Sequence, residues 1–202
     1  MSDKIVYLSD DSFEAEVRVT SYGIPHVKAD NYAGLGYGYG NFYASHNLCI
    51  LAREIIEATG KRARWFGDAE NNITSDYFYT FVNNDAFVAD ALAQLSPEAR
   101  ELLIGYAAGY NRYLADTGVS NLAEDCRDEP WVRPITETDL MSVFYKLILR
   151  ASGGPLHPLI VDAAPPAVAS VDAGGKARAA VVDAAVERAL EAGGSLEEGA
   201  FD

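Results

Sequence analysis

The sequence predicts an α+β chain, mainly helical, with a few strands gathered at its N-terminus. Three observations predict it. Ala15, Val17 and Val19 alternate with Glu16, Arg18 and Thr20, which is the period of a half-buried strand. From Ala44 onward, Leu48, Leu51, Ala52, Ile55, Ile56 and Thr59 recur at spacings of three and four, one apolar helical stripe. Ser96-Pro97-Glu98 then joins an N-cap, a proline at the first helical position and an acid in the first turn.

Composition sets the bounds. With 202 residues the chain is long enough for one sizeable core. Apolar content of 49% with 23% charged residues is globular rather than disordered. A net charge of −14 argues against a nucleic-acid surface, which needs a basic stripe. No apolar run reaches the ~18 residues that a spanning helix needs, so no membrane insertion is expected. The opening MSDKIVYLSDDSFEAEV has no apolar h-region, so an export signal is expected to have been removed upstream of it. The two cysteines, Cys49 and Cys126, are either free and buried or bonded to each other. A bond would imply export.

Residues 1–14 read as a leader that pairs at a sheet edge or stays loose. Two extended runs follow, Glu16–Ser21 and Ile24–Ala29, broken at Tyr22-Gly23, with Pro25 suggesting an edge or bulge. His26 reads as a packed strand histidine, because no acid or nucleophile is near it in sequence. Gly34, Gly36, Gly38 and Gly40 alternate with Leu and Tyr and precede the helix. No GK[ST] follows, so they do not form a phosphate loop. Alternate glycines instead permit close backbone approach while the aromatics pack to one side. The helix is expected to end at Gly60, with Arg53 and Glu57 as a surface ion pair.

Residues 68–86 read as a solvated polar and aromatic loop, in which Asp68, Glu70 and Asp76 lack the order of a calcium loop. A helix is expected over Asp85–Leu95 and another from Ser96 to Gly118. In the latter, Gly105 and Gly109 would let a neighbour approach closely. Thr136 with Asp139 imitates a capping box. The helix it opens, DLMSVFYKLILRAS, is apolar almost all round and must be buried on more than one side. It covers core and also suits the wall of an apolar pocket. Residues 153–175, rich in Pro, Ala and Gly, read as a linker, and 176–202 as an acidic helical tail.

No complete active site is present. GxSxG, HExxH and CxxC are absent, and His26, His46 and His157 lack a partnered nucleophile. With its aromatic first half and its all-round apolar helix, the chain reads as part of a larger active unit.

Residues Ser21–Val27 (SYGIPHV), Leu35-Gly36-Tyr37-Gly38 followed by Tyr43-Ala44, Asn47-Leu48-Cys49 and Gly60–Gly67 (GKRARWFG) occur in an order that resembles the α chain of the penicillin acylase family. Cys126-Arg127 followed by Pro130-Trp131-Val132-Arg133-Pro134-Ile135 narrows the resemblance to the branch of acyl-homoserine lactone and aculeacin-type acylases. It covers about Glu16 to Ala151, so 15–152 is read as the acylase α-chain domain. It implies an αββα N-terminal-nucleophile hydrolase fold completed by a β chain cut from the same precursor. The nucleophilic serine and the oxyanion hole would lie on that partner, so no catalytic residue is expected here. It also implies a Cys49–Cys126 disulfide, a periplasmic or secreted location, and a fatty-acyl amide as substrate: an acyl-homoserine lactone first, a cyclic lipopeptide or β-lactam as the alternative. A non-catalytic interaction domain is the alternative of another class. The tail from Gly175 fits a processing spacer or the end of the mature α chain.

By position, the resemblance places Phe144, Tyr145, Ile148, Leu149 and Ser152 against the acyl group. Ser152 stands where penicillin G acylases carry an aromatic, leaving room for a longer chain. Two departures stand out. His46 replaces an acid before Asn47. The stretch after the pocket helix, GGPLHPL, has no acid before Asp162, so the calcium site of penicillin G acylases is expected to be absent, and no metal or other cofactor is implied.

Overall fold

The computed structural model describes residues 4–69 and 71–164. By its contacts the chain divides into Met1–His157 and a second unit that begins at Pro158. Three antiparallel strands open the first unit: β1 (Lys4–Ser9), β2 (Glu14–Val19) and β3 (Pro25–Lys28), in the order β1-β2-β3. Val17 stands opposite Val6 on one side and Val27 on the other. The supposed leader therefore supplies the edge strand β1. Asp10 turns the chain, its Oδ1 accepting from the backbone N–H of Ser12 and Phe13, both at 2.8 Å.

Seven helices follow among the described residues: α1 (Tyr32–Ala58), α2 (Arg62–Phe66), α3 (Asn72–Val82), α4 (Asp85–Ala93), α5 (Pro97–Thr117), α6 (Glu137–Arg150) and α7 (His157–Val161). The glycine run does not precede α1; it is the first half of it. Asn31 caps α1 by accepting from Gly34 N–H at 2.7 Å, and the helix bends at Asn47 (φ −133°, ψ 20°) where the apolar stripe takes over. Glycines at every second position of a helix fall into two rows four residues apart. Gly34 and Gly38 face the sheet, where a Cβ on Gly38 would stand 2.6 Å from Val27 Cγ1. Gly36 and Gly40 face α5, where a Cβ would stand 2.1 Å from Leu102 O and 2.2 Å from Tyr106 O. Gly105 and Gly109 of α5 return the fit: a Cβ there would stand 1.9 Å from Ala33 O and 2.0 Å from Tyr37 O. The close approach expected of these glycines is real, but it is helix against helix. Glycine costs about 1 kcal/mol in a helix, and the backbone contact offsets it.

At the other end of α1 the chain stops as expected. Gly60 has φ +61°, Gly60 N–H donates to Glu57 O, and Lys61 N–H donates to Ile56 O, a Schellman closure. The core runs along α1 through Leu48, Ala52 and Ile55 to Tyr110 and Leu114 of α5, and on to Trp131 and Val143. Cys49 and Cys126 are bonded, with Cα atoms 5.7 Å apart, tying α1 to the loop that leads into α6. Asn111 of α5 fixes the end of that loop, donating to Ile135 O at 2.8 Å and accepting from Ile135 N–H at 2.7 Å.

The loop read over 68–86 is largely α3. Its first residue follows Asn71, which sits in the left-handed region (φ 59°) and makes no side-chain cap. Asp76, read as solvated, instead caps α2: its Oδ1 accepts from Arg62 N–H at 2.6 Å and its Oδ2 from Ala63 N–H at 2.7 Å. Arg53 does not pair with Glu57; its guanidinium lies 3.6 Å from Asp125 and donates to Asp125 O. The linker expected over 153–175 opens with helical structure, a 3₁₀ turn at Gly154–Leu156 and then α7. Described residues of the second unit run from Pro158 to Ala164; the tail read over 176–202 lies outside the described residues.

Candidate functional site

The residues singled out for the acyl group all lie on or just after the second half of α6. The first half is locked in place. Thr136 Oγ1 accepts from Asp139 N–H, and Asp139 Oδ2 accepts from Thr136 N–H at 2.9 Å, closing the capping box. Arg133 grips the same carboxylate with two bonds, of 2.9 and 2.7 Å. Burial alone would raise the Asp139 carboxyl. The Arg133 and Thr136 hydrogen bonds outweigh it and hold it below the usual carboxylate range. Leu140, Met141, Ser142 and Val143 are buried. Asn83, also buried, donates to Ala58 O at 2.8 Å and to Ser142 O at 3.1 Å, joining the ends of α1 and α3 to α6.

Beyond Val143 the helix changes character. Phe144 is 53% exposed, Leu147 49% and Ile148 51%. The spacings 144, 147 and 148 put these three on one flank. The expectation of a helix buried on more than one side therefore holds for its first half alone; beyond that the helix offers an apolar flank to the outside. Tyr145 lies on another side, its ring 4.4 Å from that of Phe87 in α4. Leu149 is half-buried. Ser152 stands past the end of α6 in an exposed turn, its Oγ donating to Leu149 O at 3.3 Å. So Phe144 and Ile148 are brought together, with Leu149 next to Ile148 in sequence and Ser152 four residues beyond it, while Tyr145 faces α4.

One residue of this helix was not legible as special. Lys146, set among the apolar residues one turn before Arg150, lies with its Nζ 2.7 Å from Glu54 and 2.8 Å from Glu57 of α1. Its side chain is 12% exposed. Arg62 adds a second cation to Glu57 at 3.5 Å. The Lys146 ammonium also stands 5.9 Å from the centre of the Tyr79 ring. Burial, then Glu57 and Glu54, push the Tyr79 phenol up to about 12, so it stays protonated beside the cluster.

A second exposed apolar stripe runs along α3, where Ile73, Tyr77 and Phe81 recur every four residues and line an open hollow of about 530 Å³. The histidines form no catalytic pair. His26 is exposed on β3 opposite Arg18, not packed as expected. His46 is exposed, its Nδ1 2.7 Å from Ser45 Oγ and 3.2 Å from Phe42 O. His157 Nδ1 lies 2.9 Å from Gly154 O. The one hydroxyl beside a histidine ring among the described residues is that of Ser45, on an exposed helix surface, and it also donates to Phe42 O at 2.7 Å. No helix among them is long and apolar enough to cross a membrane.

Residues 14–172 match the family described as penicillin amidase. The chain is similar to the acyl-homoserine lactone acylase PvdQ of Pseudomonas putida, 40% identical over 162 residues, which is 77% of this chain and 21% of that protein. It is similar to the aculeacin-A acylase of Actinoplanes utahensis, 36% identical over 173 residues, which is 79% of this chain and 22% of that one. It thus spans about a fifth of the length of the curated relatives it matches. Among solved structures it resembles a penicillin G acylase from Alcaligenes faecalis with a TM-score of 0.56 at 23% identity, covering 83% of this chain and 98% of that one. The mainly helical chain with N-terminal strands is thus the fold seen in that structure. On the family match and the identity to these relatives, the chain belongs to the penicillin amidase family.

Proposed function

We propose that this chain is the α chain of a self-processed, two-chain acylase that hydrolyses the amide bond of a fatty-acyl compound, with an N-acyl homoserine lactone as the first candidate substrate. Phe144, Ile148, Leu149 and Ser152 wall the acyl pocket, with Tyr145 backing the wall. The observation that carries this is the α6 flank, where large apolar side chains stand half-exposed on a helix otherwise fixed by caps and core. Such a flank is suited to a chain that lies elsewhere in the precursor.

Catalysis belongs to that partner. Its N-terminal serine hydroxyl attacks the amide carbonyl while its own α-amine takes the proton. The α-ammonium returns that proton to the departing amine half, and water, losing a proton to the same amine, then releases the fatty acid from the serine ester and frees the hydroxyl. This chain holds the acyl tail and excludes water from it. The Cys49–Cys126 bond supports a periplasmic or secreted setting. The similarity to an aculeacin-A acylase keeps a cyclic lipopeptide as the second substrate reading.

Each buried methylene contributes about 0.8 kcal/mol and a tenfold preference needs about 1.4 kcal/mol, so pocket depth controls acyl length strongly. Ile148→Phe or Ser152→Phe in the assembled enzyme is expected to depress kcat/KM for long acyl chains relative to short ones. An unchanged ratio in both variants removes these residues from the pocket wall.

A further inference from the structure

Taking α6 as the pocket wall proposed above, we infer that Lys146 is the positioning residue that sets the roll of its second half, and so the depth of the acyl pocket. The first half of α6 cannot turn: it is held by the capping box, by Arg133, by Asn83 and by buried Leu140, Met141 and Val143. The second half has no such support on the flank that carries Phe144, Leu147 and Ile148. Beyond the helix's own backbone hydrogen bonds, it is seated from the sides that face the rest of the chain, and two contacts do this. Tyr145 lies on Phe87 of α4. Lys146 reaches into α1 and is held by Glu54 and Glu57, one helical turn apart.

The two contacts differ in kind. An aromatic contact tolerates sliding. An ammonium that donates to Glu54, stands 2.8 Å from Glu57 and is largely removed from water has far less freedom. Losing the cation would also leave Glu57 with Arg62 at 3.5 Å as its remaining cation and Glu54 as a like charge three residues away, which repels it. The carboxylates, 37% and 25% exposed, would then turn to water and open the α1–α6 contact. Ile148 is two residues from Lys146 in sequence, so a change of roll there alters the wall directly.

The test uses the assembled enzyme from the whole gene, with N-acyl homoserine lactones of short and long chain as probes. Lys146→Met is expected to change the long-to-short ratio of kcat/KM by about tenfold, equivalent to about 1.4 kcal/mol, through KM for the long substrate. Lys146→Arg, which keeps the charge, should return the ratio toward the original value. Asn111→Ala, which frees Ile135 from α5, should lower stability without moving the ratio. Amide hydrogen exchange over residues 144–150 should quicken in Lys146→Met, a readout that needs no turnover. If Lys146→Met does not assemble, Glu54→Gln and Glu57→Gln, each removing one arm, should move the ratio in the same direction by less. An unchanged ratio with unchanged exchange overturns the assignment. If the original enzyme turns over no acyl amide, the proposed function falls, and exchange alone then judges Lys146.

Discussion

Helices α1 and α5 meet backbone to backbone, with Gly36 and Gly40 admitting the carbonyls of Leu102 and Tyr106 and with Gly105 and Gly109 admitting those of Ala33 and Tyr37, whereas the last two turns of α6 hold Phe144, Leu147 and Ile148 out to the surroundings. Both regions present an apolar helix face. In the first the face is met within the chain, and no further atom fits at the seam. In the second the face has room for another chain or a ligand. The difference separates what this chain supplies to its own stability from what it offers to others. A substitution in the seam should act on folding. One on the flank should act on binding.

Four substitutions set the seam against the flank. The largest concerns the bridge that ties α1 to the loop before α6, across a sequence separation of 77. Replacing Cys49 and Cys126 by Ala should cost about 4 kcal/mol in the chain-entropy account, read as a lower urea midpoint for the first unit. Next comes the seam itself. Gly40→Ala or Gly109→Ala places a Cβ about 2 Å from a backbone carbonyl and should cost about 3 kcal/mol, which thermal unfolding would register as a loss of about 6–12 °C.

Smaller is the cap of α6. Asp139→Asn should cost about 2 kcal/mol by weakening the paired bonds to Arg133. Because the folded carboxyl is held below its unfolded value, its contribution is complete above the usual carboxylate range near ~3.9 and is lost as pH falls through the lowered value. The variant should accordingly show a flatter loss of stability in acid, followed by unfolding at graded pH. Smallest is the flank. Ile148→Ala should alter stability by about 0.5 kcal/mol or less in the first unit, measured by urea unfolding before assembly. A cost as large as that of Gly40→Ala would mean that the flank belongs to the chain's own core.

Much of this was legible from local signals. Alternation at Ala15, Val17 and Val19 gave the strand, Ser96-Pro97 the start of α5, and Thr136 with Asp139 the capping box. The first half of α1 was not, because four glycines in a helix contradict local propensity, and only the fit against α5 and the sheet offsets that cost. Helix α3 was hidden for another reason. Its buried positions include Asn72 and Ser75 beside Phe78 and Tyr79, so an apolar period does not mark its inner side. Arg53 and Glu57 had the spacing of an ion pair, yet Glu57 is already engaged by Lys146 and Arg62. The α6 positions of the candidate site came from the resemblance of ordered motifs. Lys146 did not, because a cation in an apolar helix reads as surface until its partners on α1 are placed beside it.

If the α6 flank is covered by a second chain cut from the same precursor, intact mass and N-terminal sequencing of every chain that co-purifies when the whole locus is expressed will find it. The expected result is a second, larger chain that begins with serine. A lone chain of about 21.8 kDa with no such partner would contradict it.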